Sequence, residues 1–264
     1  MSRHETAYHA ALEGSEVAHR LYRTELSVTT KDSAMDYVTR ADTETQRRII
    51  DRIVEDYPDA TIVGEEGDEL KSVPADGSAW VIDPIDGTSN FVHDIPFWAT
   101  TVAAVHDGDT VGATTIMPAL GNTYTAGPDR VTLNGYRMTV SEKTAVEEFK
   151  VAAILRYGPE RDDVFGNLLS TLIREFGDLR RLGCAQGTLG MVASGSLDAA
   201  VSTQSNPNPW DTIAGVYLVE RAGGTVTDIA GDPWTPDADG FVASNGQAHD
   251  AVIERVSDVS NRKK

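Results

Sequence analysis

The 264-residue sequence has one cysteine, Cys184. A single thiol excludes an intrachain disulfide and a cysteine metal cluster, and Cys184 reads as a small buried apolar residue. No apolar run approaches the roughly 20 residues that a membrane span needs, so no membrane partner is expected. The opening stretch MSRHETAYHAALEGSEVAHR is polar throughout and has no apolar signal core. It predicts a cytoplasmic protein. Basic charge is scarce: 23 Lys and Arg against 41 Asp and Glu give a net charge of −18. That balance excludes nucleic acid binding through a basic patch. The histidines (His4, His9, His19, His93, His106 and His249) show no metal-ligand spacing and read as surface or packing residues. No repeat or low-complexity linker divides the chain.

What is abundant is acid, and it is spread along the chain in HDGDT, RDDVF, PDADG and EGDEL. Such a surface stays hydrated and suits a high-salt cytoplasm, where salt screens self-repulsion. A halophilic source is the corresponding expectation.

Apolar periodicity predicts helices over 5–26 and 42–57, the second with Asp42 at its N-terminus. TIVG (61–64) and WVI (80–82) read as strands. FWATTVAAV (97–105) and TVGATTIM (110–117) flank Asp107-Gly108 as a hairpin, NTYTA (122–126) follows as a strand, and Asn134-Gly135 centres a second hairpin. From about residue 141 helices and strands alternate. Strands are predicted at 151–155, 198–202, 225–229 and 241–244, and helices at 164–177, 187–195, 211–224 and 250–259. The fold class is α+β over 1–141 followed by α/β over 142–264, with the two halves packed as one unit.

Five acidic residues fall at element ends: Asp42, Glu65, Asp83, Asp86 and Asp211. Hard divalent cations such as Mg²⁺ take oxygen ligands, one or two carboxylates each plus waters, so five converging carboxylates would serve two or three ions. Taken singly, Asp42 and Asp211 fit helix N-caps, and Asp83 fits a turn. DPIDGT (83–88) resists that reading. Pro84 stiffens the segment, Ile85 offers a carbonyl oxygen, and a helix starting near Gly87 would aim free N–H groups at a phosphate. Metal and phosphate on one turn mean phosphoryl chemistry.

GEE (64–66), DPIDGTSNF (83–91) and WDTIAG (210–215), in that order, resemble the inositol monophosphatase family. KDSAMDYVTRAD (31–42) and RRLGCAQGTLGMVASGSLDA (180–199) are similar to its early and its glycine-alanine segments. The resemblance implies a layered αβαβα sugar-phosphatase fold and Mg²⁺-dependent phosphomonoester hydrolysis, with Mn²⁺ as a substitute. It implies that Glu65, Asp83 and the Ile85 carbonyl hold one ion, and that Asp83, Asp86 and Asp211 hold a second. A third ion would lean on Glu65. Thr88, bonded towards Asp42, would orient the attacking water with Glu65, while the N–H groups of Gly87 and Thr88 bind phosphate. Lys31 would lie near the metals on a loop over about 31–37. A homodimer is also implied, with FWATTVAAV either contributing a contact or lying inside a sheet.

The sequence departs from the family pattern before Trp210-Asp211, where AVSTQSNPNPWD has no acid between Asp198 and Asp211. Ser202 and Gln204 stand there as neutral substrate contacts beside Asp86 and Asp211. Arg180, next to Arg181, is a candidate for a second phosphate, with Arg156-Tyr157 adding to such a pocket. The expected substrate is therefore inositol 1-phosphate or fructose 1,6-bisphosphate. The alternatives are a 3′-phosphoadenosine 5′-phosphate phosphatase, which Ser89-Asn90-Phe91 after DGT disfavours, and a non-catalytic metal- and phosphate-binding protein.

Overall fold

The computed structural model describes residues 1–24, 28–30, 37–155, 162–203 and 208–261. Lys31, Gln204 and Arg156-Tyr157, named above as site candidates, lie outside the described residues. The chain forms two compact units. The first comprises Met1–Arg137, Gly183–Gly187 and Asn208–Leu218; the second comprises Met138–Leu182, Thr188–Pro207 and Val219–Lys264.

The first unit opens with α1 (Arg3–Leu21), the antiparallel pair β1 (Val28–Thr30) and β2 (Tyr37–Thr39), and α2 (Arg40–Asp56). Then come β3 (Thr61–Gly64), β4 (Ser78–Asp86), the short helix α3 (Thr88–Val92), β5 (Ala99–His106), β6 (Asp109–Met117), β7 (Asn122–Ala126), β8 (Val131–Leu133) and β9 (Tyr136–Arg137). The strands from β3 to β9 form one seven-stranded sheet in chain order. β3 runs parallel to β4, and each later neighbour is antiparallel.

Small residues let α1 approach closely. Ala7, Ala10, Ala11 and Ala18 are buried, and a Cβ on Gly14 would stand 2.4 Å from Ile49 Cγ1. Ile49 and Ile53 of α2 pack with Ile62, Trp80, Ile82, Val102 and Ile116 on one sheet face. Arg52, nearly buried, joins α2 to α1 by an ion pair to Glu13 at 3.5 Å and pairs with Asp56 of its own helix at 3.0 Å. The apolar strand of the first hairpin is interior: Ala99 to Val105 are buried between β4 and β6, so this strand is sheet core.

The second unit contains a 3₁₀ turn (Val146–Glu148), β10 (Lys150–Ala153), α4 (Asp162–Glu175), β11 (Asp178–Arg180), most of α5 (Ala185–Ala193), β12 (Ala199–Ser202), the end of α6 (Pro209–Arg221), β13 (Thr225–Thr227), β14 (Phe241–Ser244) and α7 (His249–Asn261). Its sheet order is β11-β10-β12-β14-β13. Phe149, Val151, Leu168, Leu172, Val201, Val242 and Val252 form its core. Asp198, 1% exposed, accepts bonds from Ser141, Lys143 and the Lys150 N–H at 2.6–2.8 Å. Among the described residues no helix is long and apolar enough to cross a membrane.

Candidate metal centre

Two sheet features set the acidic residues out. In the parallel pair Gly64 lies beside Ile82, so the chain leaves β3 with Glu65 next to Asp83. β4 itself does not stop at Asp83, where the apolar run predicts its end. It continues to Asp86 through a register shift against β5 that falls between the two aspartates. Pro84 sits inside this irregularity, where a strand tolerates a missing N–H. Its carbonyl accepts the Thr100 hydroxyl at 2.8 Å.

Asp42 and Asp211 are not N-caps. α2 begins at Arg40 and α6 at Pro209, so both aspartates lie in a first turn, where the helix dipole favours negative charge. Asn208, just before α6, donates to Asp211 Oδ2 at 3.2 Å. Gln46 pins the Glu65–Glu66 loop: its amide donates to the Glu66 carbonyl at 2.7 Å and accepts the Glu66 N–H at 2.9 Å.

Ile85 buries its side chain with Tyr22, Phe91 and Trp98, whose rings stand 4.9–5.4 Å apart. That anchor fixes the Ile85 carbonyl, which takes the Thr88 hydroxyl at 3.0 Å. The same hydroxyl lies 3.3 Å from Asp42 Oδ1. Gly87 adopts φ +88°, and a Cβ there would meet the Gly183 carbonyl at 2.9 Å, so this turn requires glycine.

Asp83 is the most telling residue. It is 1% exposed, and its Oδ1 is buried with no hydrogen-bond partner. Burial, then the charges of Glu65, Asp86, Asp211 and Asp42, push its carboxyl well above the usual carboxylate range. A buried anion facing four more acids calls for positive charge. Asp86 is also raised by burial, but the Cys184 thiol and backbone N–H groups oppose the shift. The thiol donates to its Oδ2 at 2.9 Å, Ala185 N–H to Oδ1 at 3.1 Å and Gln186 N–H to Oδ2 at 2.6 Å. Cys184 is thus buried as expected but is no mere apolar filler. Burial and the neighbouring Asp86 push its own thiol pKa well up, so it donates as S–H.

Among the described residues no three His, Cys, Asp or Glu side chains close into a metal cage by themselves. Mg²⁺ needs none, because it usually keeps several waters and takes one or two carboxylates. The donor set around Asp83 is all hard oxygen, so it fits that ion. His93 is exposed, with Nδ1 2.7 Å from the Ser89 carbonyl, and His249 bonds Ser244 and Thr227 in the second unit. Two substrate candidates also belong to the second unit. Ser202 ends β12 and is buried; Arg180 lies on the edge strand β11, its guanidinium held by Asp178 and the Leu179 carbonyl.

Buried acids at a bulged strand end thus stand beside a glycine-opened turn. The chain belongs to the inositol monophosphatase family, whose pattern it matches over residues 2–261. A fructose-1,6-bisphosphatase/inositol-1-monophosphatase of Thermotoga maritima is 36% identical over 234 residues, covering 88% of this chain and 87% of that protein. Nus factor SuhB of Pseudomonas aeruginosa is 34% identical over 241 residues, 88% of this chain and 86% of that one. A solved T. maritima IMPase structure matches with a TM-score of 0.89 at 32% identity, covering 99% of each chain. The layered α/β fold is that of inositol monophosphatases, and the chain is of the phosphoric monoester hydrolase type.

Proposed function

We propose that this protein is a Mg²⁺-dependent phosphomonoesterase acting on inositol 1-phosphate or fructose 1,6-bisphosphate. The observation that carries it is the unpaired, buried Asp83 Oδ1 among the charges of Glu65, Asp86, Asp211 and Asp42. Glu65, Asp83 and the Ile85 carbonyl would hold one ion, and Asp83, Asp86 and Asp211 a second, with Mn²⁺ as a substitute. Bound cations supply a water of lowered pKa and neutralise the phosphoryl and leaving oxygens.

The protein's own groups do the rest. Thr88 directs its single proton to Asp42 or to the Ile85 carbonyl, which leaves its lone pairs to accept a bond from the attacking water. Glu65 orients that water together with Thr88. The N–H groups of Gly87 and Thr88 receive the phosphate. Asp86 and Asp211 contact substrate hydroxyls. A cytoplasmic homodimer completes the reading.

The test is phosphate release from inositol 1-phosphate, fructose 1,6-bisphosphate and 3′-phosphoadenosine 5′-phosphate, with Mg²⁺ and after chelation. Release from either of the first two, abolished by chelator and reduced about 10³-fold by Asp83→Asn, is expected. Equal rates for wild type and Asp83→Asn would overturn the site, and release from the nucleotide alone would overturn the substrate class.

A further inference from the structure

We propose that Gln186 is a positioning residue that locks Asp86 and Asp211 into one ligand pair, a role that rests on the Mg²⁺ reading of this site. Gln186 is completely buried in the first turn of α5. It acts through both its backbone and its side chain. Its N–H donates to Asp86 Oδ2 at 2.6 Å, and its side-chain Nε2 donates to the Trp210 carbonyl at 2.5 Å. Trp210 directly precedes Asp211 in the first turn of α6. One residue therefore bonds the Asp86 carboxylate of β4 and the carbonyl that directly precedes Asp211 in α6, two segments distant in the chain.

Two facts separate this role from simple packing. The first is that the amide is half satisfied: Oε1 is buried with no hydrogen-bond partner. A position that needed only volume would be better filled by an apolar side chain, because an unpaired buried acceptor is unfavourable. The second is that the backbone beside it is closely packed. A Cβ on Gly187 would stand 2.7 Å from Met117 Cε and 2.9 Å from Cys184 Sγ. The turn that carries the Gln186 N–H thus packs against Met117 and Cys184, and the side chain ties it to α6.

Trp210 is gripped from a second side. The Lys71 ammonium lies 5.6 Å over its ring and donates to the carbonyls of Gly64 at 2.8 Å and Glu65 at 3.1 Å. The segment carrying Glu65 is thereby coupled to the same tryptophan. Like-charged carboxylates repel, so a pair held at fixed spacing binds a cation without first being forced together.

The experiment uses Gln186→Met, which keeps length and volume but cannot donate. Calorimetric titration of the chelator-stripped protein with Mg²⁺ gives affinity, and thermal melting of the same metal-free protein gives stability. For a positioning residue, the Mg²⁺ dissociation constant rises about 10-fold while the metal-free melting temperature is unchanged or higher. The Mg²⁺ concentration for half-maximal phosphate release rises by the same factor, and kcat at saturating Mg²⁺ holds. Unchanged Mg²⁺ affinity, with or without a lower melting temperature, would overturn the proposal and leave Gln186 as core filling. If methionine cannot be accommodated, Gln186→Ala cannot clash and reports through the same titration. The wild-type titration separates the two readings: no Mg²⁺ binding there overturns the functional reading and this one with it. Wild-type binding matched by the variants overturns this one alone.

Discussion

Asp83 holds a buried oxygen that no protein group satisfies, and this gives it a measurable pH signature. Its folded pKa is raised by burial and by four neighbouring acids. The folded state therefore binds the proton more readily than the unfolded state. Its penalty is absent below the unfolded carboxylate pKa near 4 and grows as pH rises through the raised folded value. Asp83→Asn removes that penalty, so the metal-free variant should melt with wild type at about pH 4 and above it by several degrees at about pH 7. Parallel melting curves at both pH values would mean the oxygen is neutralised within the protein. Thr88 makes a separate prediction. Thr88→Ala should lower kcat about 10²–10³-fold with little change in Mg²⁺ affinity, and Thr88→Ser should restore most of it, because only the hydroxyl is used. Stopped assays at saturating Mg²⁺ check this, and an alanine variant with wild-type kcat contradicts it.

At the scale of elements, the turn after β4 depends on backbone geometry more than on side chains. Gly87→Ala forces a left-handed conformation and drives a methyl towards the Gly183 carbonyl. The conformational term alone costs about 1–2 kcal/mol, so denaturant unfolding should show at least that loss, with phosphate release falling too. The hairpins around Asp107-Gly108 and Asn134-Gly135 were legible because apolar alternation and turn residues agree within a few positions. β4 was legible only to Ile82, since Pro84 argues against a strand and the register shift that accommodates it needs the partner β5. The pair β1–β2 and the edge strand β11, three residues per strand, carry too little pattern to be read locally. The acids at positions 42, 65, 83, 86 and 211 could be named from motifs. The Cys184–Asp86 bond could not, because its partners lie 98 residues apart and only tertiary packing joins them. The joint between α7 and β14 is another such case. His249 is buried between Ser244 at 2.8 Å and Thr227 at 2.9 Å, and burial lowers its pKa. A depressed folded pKa leaves its stabilisation intact above the unfolded value near 6.5 and removes it as pH falls. Hydrogen exchange over 225–252 should therefore quicken between about pH 7.5 and pH 5, and His249→Gln should flatten the change. Equal pH dependence in both proteins would place the effect elsewhere.

For the whole molecule, two kinds of negative charge respond to different ions. The net charge of −18 is largely solvated, and monovalent salt screens it. Asp83 is not solvated, and screening by bulk salt does not reach it. Potassium chloride should therefore raise the melting temperature of the metal-free protein from low salt into the molar range, where the Debye length is about 3 Å. Mg²⁺ should add a further shift of a different origin. At about 100 times its dissociation constant, a ligand that binds only the folded state contributes about 2.7 kcal/mol. Binding to surface acids would fade in molar salt, whereas binding at the buried oxygens should keep most of its effect. The comparison is four melting curves, at low and molar potassium chloride, each with and without Mg²⁺, run on wild type and on Asp83→Asn. A Mg²⁺ shift that survives molar salt in wild type and is missing from the variant assigns the divalent effect to the buried centre. A shift that vanishes in molar salt, or that the variant retains, assigns it to the acidic surface.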